Sequence, residues 1–112
     1  MAEVAFVRQT AGGCAWEAEA LDVNDSNAVT GEFALGNCTL VTVFVEGVTG
    51  THASHELTVE VSPDNVFWVQ TPIKVTGADT FIGGDLVAEF MRLSVSNTEG
   101  SASTVNVYVV AR

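Results

Sequence analysis

The chain is expected to fold as an all-β protein, a single antiparallel β-sandwich of immunoglobulin-like or jelly-roll winding with about eight strands. Three observations predict this. Of its 112 residues, 19 are Val and 12 Thr, against 6 Leu and 2 Ile, so stiff β-branched side chains that favour strands dominate the apolar set. Turn-forming residues recur every 8 to 15 positions, the spacing of short strands joined by tight connections. No window of ten residues carries the 3.6-residue apolar period of an amphipathic helix. At 47% hydrophobic and 16% charged residues, the composition is too apolar for a disordered chain. A chain of this mass buries roughly two-thirds of its unfolded surface, enough for a core without staples or metal.

Taken in order, residues 1–112 read as one sandwich domain, in which 1–20 forms a first strand or an extended amino-terminal arm. Ala11-Gly12-Gly13, Asn24 to Asn27 and Gly36-Asn37 are expected turns. Leu40 to Val45 follows as a strand that is apolar on both faces, with Val41, Val43 and Val45 on one and Leu40 and Phe44 on the other. Such a strand is covered on both sides or lines an interface. Gly47 to Gly50 should end it.

The second half alternates more plainly. Leu57, Val59 and Val61 oppose Thr58, Glu60 and Ser62; Met91, Leu93 and Val95 oppose Arg92, Ser94 and Ser96; Val105, Val107 and Val109 oppose Thr104, Asn106 and Tyr108. One dry and one wet face per strand is the pattern of a two-layer antiparallel fold. Pro63-Asp64-Asn65 reads as a hairpin turn, Pro63 fixing one dihedral and Asp64-Asn65 tolerating positive φ. Val66-Phe67-Trp68-Val69 is expected to be another strand with large groups on both faces, and Gly83-Gly84-Asp85 and Asn97 to Gly100 the remaining turns.

The formal charge of −10, with Arg8, Lys74, Arg92 and Arg112 as the whole basic complement, argues against nucleic-acid binding and against an anionic membrane surface. The first ten residues lack the basic-then-apolar order of a secretory signal, and the longest apolar run, Leu40 to Val48, is far short of a membrane span. Cytoplasmic synthesis is therefore expected, with Cys14 and Cys38 as reduced thiols and a bridge between them as the alternative.

No catalytic constellation is evident. Neither cysteine sits in a motif, a Gly-x-Ser-x-Gly elbow is absent, and the Gly-Gly pairs lead into no phosphate-binding loop. His52 and His55 form a His-x-x-His pair without a third ligand, and read as loop histidines. Asp22 to Asn27 opens like a calcium loop but lacks the sixth-position Gly and closing Glu, and reads as an acidic turn. No enzyme, metal or cofactor is expected. The large side chains Leu40, Phe44, Phe67, Trp68 and Tyr108 are the candidate interface residues, aromatic anchors being typical of contact surfaces.

From Glu56 to Arg112 the chain resembles structural β-sandwich proteins of tailed-bacteriophage virions. Glu56 to Trp68 resembles their strand that enters a Ser-Pro-Asp-Gly turn and returns through a Trp, with Asn65 where Gly is usual. Phe90 to Ser96 and Gly100 to Val107 resemble their closing hairpin of an Arg-containing strand, a small-residue turn and a Val-rich last strand. The resemblance implies a virion protein, above all a capsid decoration (cement) protein that oligomerises with itself and binds the major capsid protein on the outer face of the head. A low-copy tail or head–tail connector protein is the alternative within the same particle. A carbohydrate-binding module, stacking sugar on Trp16, Trp68 or Tyr108, is the alternative outside it.

Overall fold

A computed structural model describes residues 15–112 in full, and for the preceding segment the backbone pairing of Glu3–Val4 and Arg8–Gln9. The strands are β1 (Glu3–Val4), β2 (Arg8–Gln9), β3 (Ala15–Asp22), β4 (Val29–Thr30), β5 (Phe33–Ala34), β6 (Leu40–Thr49), β7 (Glu56–Ser62), β8 (Val69–Thr76), β9 (Thr80–Asp85), β10 (Phe90–Asn97) and β11 (Thr104–Ala111). They build two sheets. One has the order β1-β4-β10-β7-β8 with β5 also on β10, and the other β2-β3-β11-β6-β9. We call these sheet A and sheet B. Every pairing is antiparallel except that of β1 with β4.

The strand order decides between the two windings the sequence left open. With β4 and β5 taken as one interrupted strand, the eight strands from β3 to β11 alternate between layers as first-eighth-third-sixth and second-seventh-fourth-fifth. That order is a jelly roll, two Greek keys wrapped into one sandwich.

The alternating valines do what their spacing predicts. Val41, Val43 and Val45 of β6 and Val105, Val107 and Val109 of β11 point inward against Leu57 and Val59 of β7 and Met91, Leu93 and Val95 of β10. Ala18 and Leu21 of β3 both reach this core although they are three residues apart. A bulge accounts for it: Ala20 takes φ 56° and its amide donates to Asn106 Oδ1 at 3.0 Å, so the strand slips one position against β11.

Several expectations are corrected. Gly83-Gly84-Asp85 is no turn but the second half of β9, paired with Leu40 to Thr42. Gly47 likewise lies within β6, where a Cβ would come within 2.9 Å of the His52 ring, so only Gly lets that ring lie on the strand. Val66-Phe67-Trp68 is a bend, and β8 begins only at Val69. The cause is local: Asp64 Oδ1 accepts the amides of Val66 and Phe67, both at 2.9 Å, and this holds the chain in a tight Asx turn. Those amides keep the Asp64 carboxyl below its usual pKa. Asn65 has the positive φ, 65°, expected of it.

The wet face of β7 is also not wet. Thr58, Glu60 and Ser62 are buried, because β7 is flanked by β10 and β8; Thr58 and Glu60 bond side chains of those strands, and Ser62 Oγ accepts the amide of Asn65 in the following turn. Arg92 Nε donates to Glu60 Oε1 at 2.7 Å and Ser94 Oγ to Glu60 Oε2 at 3.1 Å, while the Arg92 guanidinium lies 4.2 Å from the centre of the Trp68 ring. Of residues 1–20, assigned to an arm or first strand, 15–20 lie in β3, while Glu3–Val4 and Arg8–Gln9 pair as β1 and β2; the others fall outside the described residues, as do Cys14 and its pairing with Cys38.

Candidate interaction face

The register of sheet B places side chains in rows across three strands. Leu86 N donates to Thr39 O at 2.7 Å, which fixes the parity of the ladder: odd residues of β6 bond toward β9, even ones toward β11. The even residues of β6 point away from the core. Tyr108, Phe44 and Phe81 therefore stand side by side on the outer face, followed by Val110, Thr42 and Gly83, and then by Leu40 beside Asp85. Phe44 and Phe81 occupy a non-hydrogen-bonded pair, the closer kind, with ring centroids 5.8 Å apart.

This face is open. Phe81 is 66% exposed, Leu40 51%, Val110 42% and Phe44 40%. The reading of β6 as covered on both faces fails on the outer side: β6 is central in its sheet, yet no element of the described residues lies over Leu40 and Phe44. A groove of about 450 Å³ runs beside the aromatic row, lined by Phe44, Glu46, Asp79, Phe81 and Tyr108 among others. Its polar edge is organised: Glu46 Oε1 accepts from Tyr108 Oη at 2.9 Å and from Asn106 Nδ2 at 3.0 Å. The bond to Glu46, with some burial, holds the Tyr108 phenol above its usual pKa, so it remains a neutral donor.

The five sequence candidates thus fall into two groups. Leu40, Phe44 and Tyr108 share the outer face of sheet B. Phe67 and Trp68 sit in the β7–β8 connection at the edge of sheet A, where Phe67 is 63% exposed and Trp68 rests on Arg92. Phe81 and Val110 belong to the first group and were not singled out from sequence. Phe81 was obscured by Gly83-Gly84, whose punctuating look concealed a strand. The Thr80-Phe81-Ile82 run was the signal that could have revealed it.

The remaining chemistry-bearing residues are committed elsewhere. Asp22 and Asp25 cap the amides of Asn24 and Asn27, and Asn24 Oδ1 accepts the amide of Gly100. His52 Nε2 bonds the Thr104 carbonyl at 3.0 Å. His55 is fully buried, its Nδ1 donating to Glu99 Oε1 at 3.0 Å while Nε2 has no partner among the described residues. Glu99 ties the 51–55 loop down, accepting the Thr51 hydroxyl and the amides of Ala53, Ser54 and His55. Burial would raise its pKa, but the His55 ring and these amides outweigh it and hold the carboxyl at about 2. Among the described residues no three His, Cys, Asp or Glu side chains converge as metal ligands, and no helix is long and apolar enough to cross a membrane.

No family model matches the chain, and no curated protein matches it in sequence. Solved structures do. The SPBc2 prophage-derived protein YomS superposes with a TM-score of 0.56 at 12% identity, over 86% of this chain and 95% of that one. The Yersinia pseudotuberculosis-derived mitogen superposes with a TM-score of 0.51 at 9% identity, over 87% and 76%. The likeness is one of fold. A looser match, the CBM22-1 xylan-binding domain of Paenibacillus barcinonensis Xyn10C, has a TM-score of 0.44 at 16% identity, over 96% and 78%.

Proposed function

We propose that the chain is a non-enzymatic structural protein of a tailed-phage virion, and specifically a decoration protein that binds the outer face of the head through sheet B and bridges capsomers. The observation that carries this reading is the open Tyr108–Phe44–Phe81 row with Leu40 and Val110 beside it. An exposed, contiguous apolar strip on a rigid sheet is costly in water and gains most when a partner covers it. The resemblance of Glu56 to Arg112 to virion modules supports the setting, as does the fold shared with a prophage-derived protein. The charge of −10 suits an outer surface better than a DNA-facing lumen.

Sugar binding has less behind it. Trp16 is stacked on Phe33 with ring centroids 4.1 Å apart and Trp68 holds Arg92 over one ring face, so each indole has a face already taken, and of the three candidate aromatics only Tyr108 stands in the open row, with its hydroxyl bonded to Glu46. The reading is tested with heads of the encoding phage stripped of this protein. Phe44→Ser and Phe81→Ser chains that remain folded should bind them at least about tenfold more weakly than wild type, as expected for losing a central aromatic anchor. Binding undiminished in both would refute the sheet B assignment, and undiminished binding with Trp68→Ser losing it would move the contact to the β7–β8 connection.

A further inference from the structure

We propose that β9 is a self-complementary edge, and that two copies of this chain pair antiparallel through it, centred on Gly83, to make one continuous sheet of their two B sheets. The pairing does not rest on the virion role, although Phe81 belongs to both surfaces.

The edges of the two sheets are not alike. β8, the long edge of sheet A, is blunted by Pro72, which has no amide to offer, and by Lys74. At the other ends lie β1 and β2, of two residues each. β9 ends sheet B with six residues, Thr-Phe-Ile-Gly-Gly-Asp; it has no Lys, no Pro and no bulge in its pairing with β6, and its one charge, Asp85, is its last residue. Because Leu86 N bonds Thr39 O, Leu86, Gly84, Ile82 and Thr80 turn their main-chain groups toward β6. Phe81, Gly83 and Asp85 therefore turn theirs outward, and no hydrogen bond to these groups is found among the described residues.

The sequence of this edge selects its partner. In an antiparallel pair centred on Gly83, each Gly83 meets the other, and Phe81 meets Asp85 of the second copy. Beyond the strand ends, Asp79 comes opposite Val87. No acid faces an acid, although the chain holds 14 of them and Asp79 and Asp85 flank this very edge. Residues 81, 83 and 85 carry both the outward main-chain groups and the outward side chains, so each matched pair exchanges both bonds of a narrow antiparallel pair. Gly83 leaves the two backbones free to approach. The paired sheets would set two Tyr108–Phe44–Phe81 rows on one face.

Net charge opposes this association and salt relieves it. Each copy carries −10, and raising ionic strength shortens the range of that repulsion. A six-residue edge lies at the small end of interfaces, so the association is expected to be weak and dependent on protein concentration.

Sedimentation equilibrium of the purified chain should show a monomer–dimer equilibrium that tightens from 50 to 500 mM NaCl. Phe81→Asp sets an acid opposite Asp85 at both matched pairs and removes two exposed rings, weakening the dimer by roughly 100-fold. Adding Asp85→Lys to the same chain restores opposite charges across both matched pairs and should recover most of that loss. Thermal melts of both variants matching wild type to within a few degrees would show that the fold is kept, as expected for a position this exposed. A chain that stays monomeric to several hundred micromolar in high salt overturns the proposal. So does a trimer or larger species, or a dimer that Phe81→Asp leaves intact. Failure of the double variant to recover pairing overturns the register centred on Gly83.

Discussion

Thr30 offers a stringent test of the packing account. Strand β4 is only two residues long and meets β10 at a single matched pair, Val29 with Ser94. The backbone bond from Val95 N to Ala28 O, 3.0 Å, lies on one side of that pair. On the other side, Leu93 N is satisfied by a side chain: it donates to Thr30 Oγ1 at 2.9 Å, with Leu93 and Thr30 both fully buried. Thr30→Val keeps the shape and deletes the acceptor. A buried amide left without a partner costs about 1–3 kcal/mol, and the added methyl returns less than about 0.8 kcal/mol of that. The expected loss is therefore about 2 kcal/mol. In urea, with an m-value of about 1–2 kcal/mol/M for a chain of this size, the midpoint should fall by about 1–2 M. Thr30→Ser keeps the oxygen and should lose no more than about 1 kcal/mol. Hydrogen exchange supplies the specific readout, since Leu93 should lose protection in Thr30→Val and keep it in Thr30→Ser. A Thr30→Val protein as stable as wild type, or with the Leu93 amide still slow, would refute the reasoning.

Other outcomes follow from the same contacts. The Glu99 carboxyl is held at about 2, below its ordinary 4.5, so the stability it contributes is present in full above about pH 5 and lost as pH falls through 4.5 toward 2; Glu99→Gln should flatten the melting temperature against pH over that interval, and an unchanged profile would contradict the loop-tying role. Arg92→Leu removes the donor at 2.7 Å from the buried Glu60 and the cation above Trp68, and should cost about 2–4 kcal/mol and shift the tryptophan emission, whereas a change below about 0.5 kcal/mol by denaturation would show the cluster to be incidental. Gly50→Ala should cost at least about 2 kcal/mol, because φ is +78° and a Cβ would lie 2.2 Å from the Ala102 carbonyl oxygen; an unaffected urea midpoint would disprove that constraint.

What could be read from the sequence was set by how local its cause is. Alternation in β10, β11 and the inner face of β6 depends only on a period of two, and those strands appear where the pattern places them. The Asp64-Asn65 turn is likewise local. The polar face of β7 was misread because burial there comes from Arg92, Ser94 and Ser96 on β10, which the sequence of β7 alone does not show. Gly83-Gly84 looked like a turn because Gly punctuates more often than it pairs; inside β9, Gly84 gives way to the Ile73 side chain, which a Cβ would meet at 2.7 Å, a demand made by a neighbouring strand. The candidate face was half legible for the same reason. Leu40 and Phe44 were placed on one side by periodicity, but that Tyr108 and Phe81 stand in the same row is a fact of register between strands distant in sequence.

The most direct test of the virion reading is gradient sedimentation of lysate from the native host, following this chain by mass spectrometry with its copy number calibrated to the most abundant protein of the fast-sedimenting fraction. A decoration protein should travel with that fraction at hundreds of copies per particle. A handful of copies would contradict the decoration role in favour of a tail or connector position, and a chain that stays at the top of the gradient would contradict the virion assignment altogether.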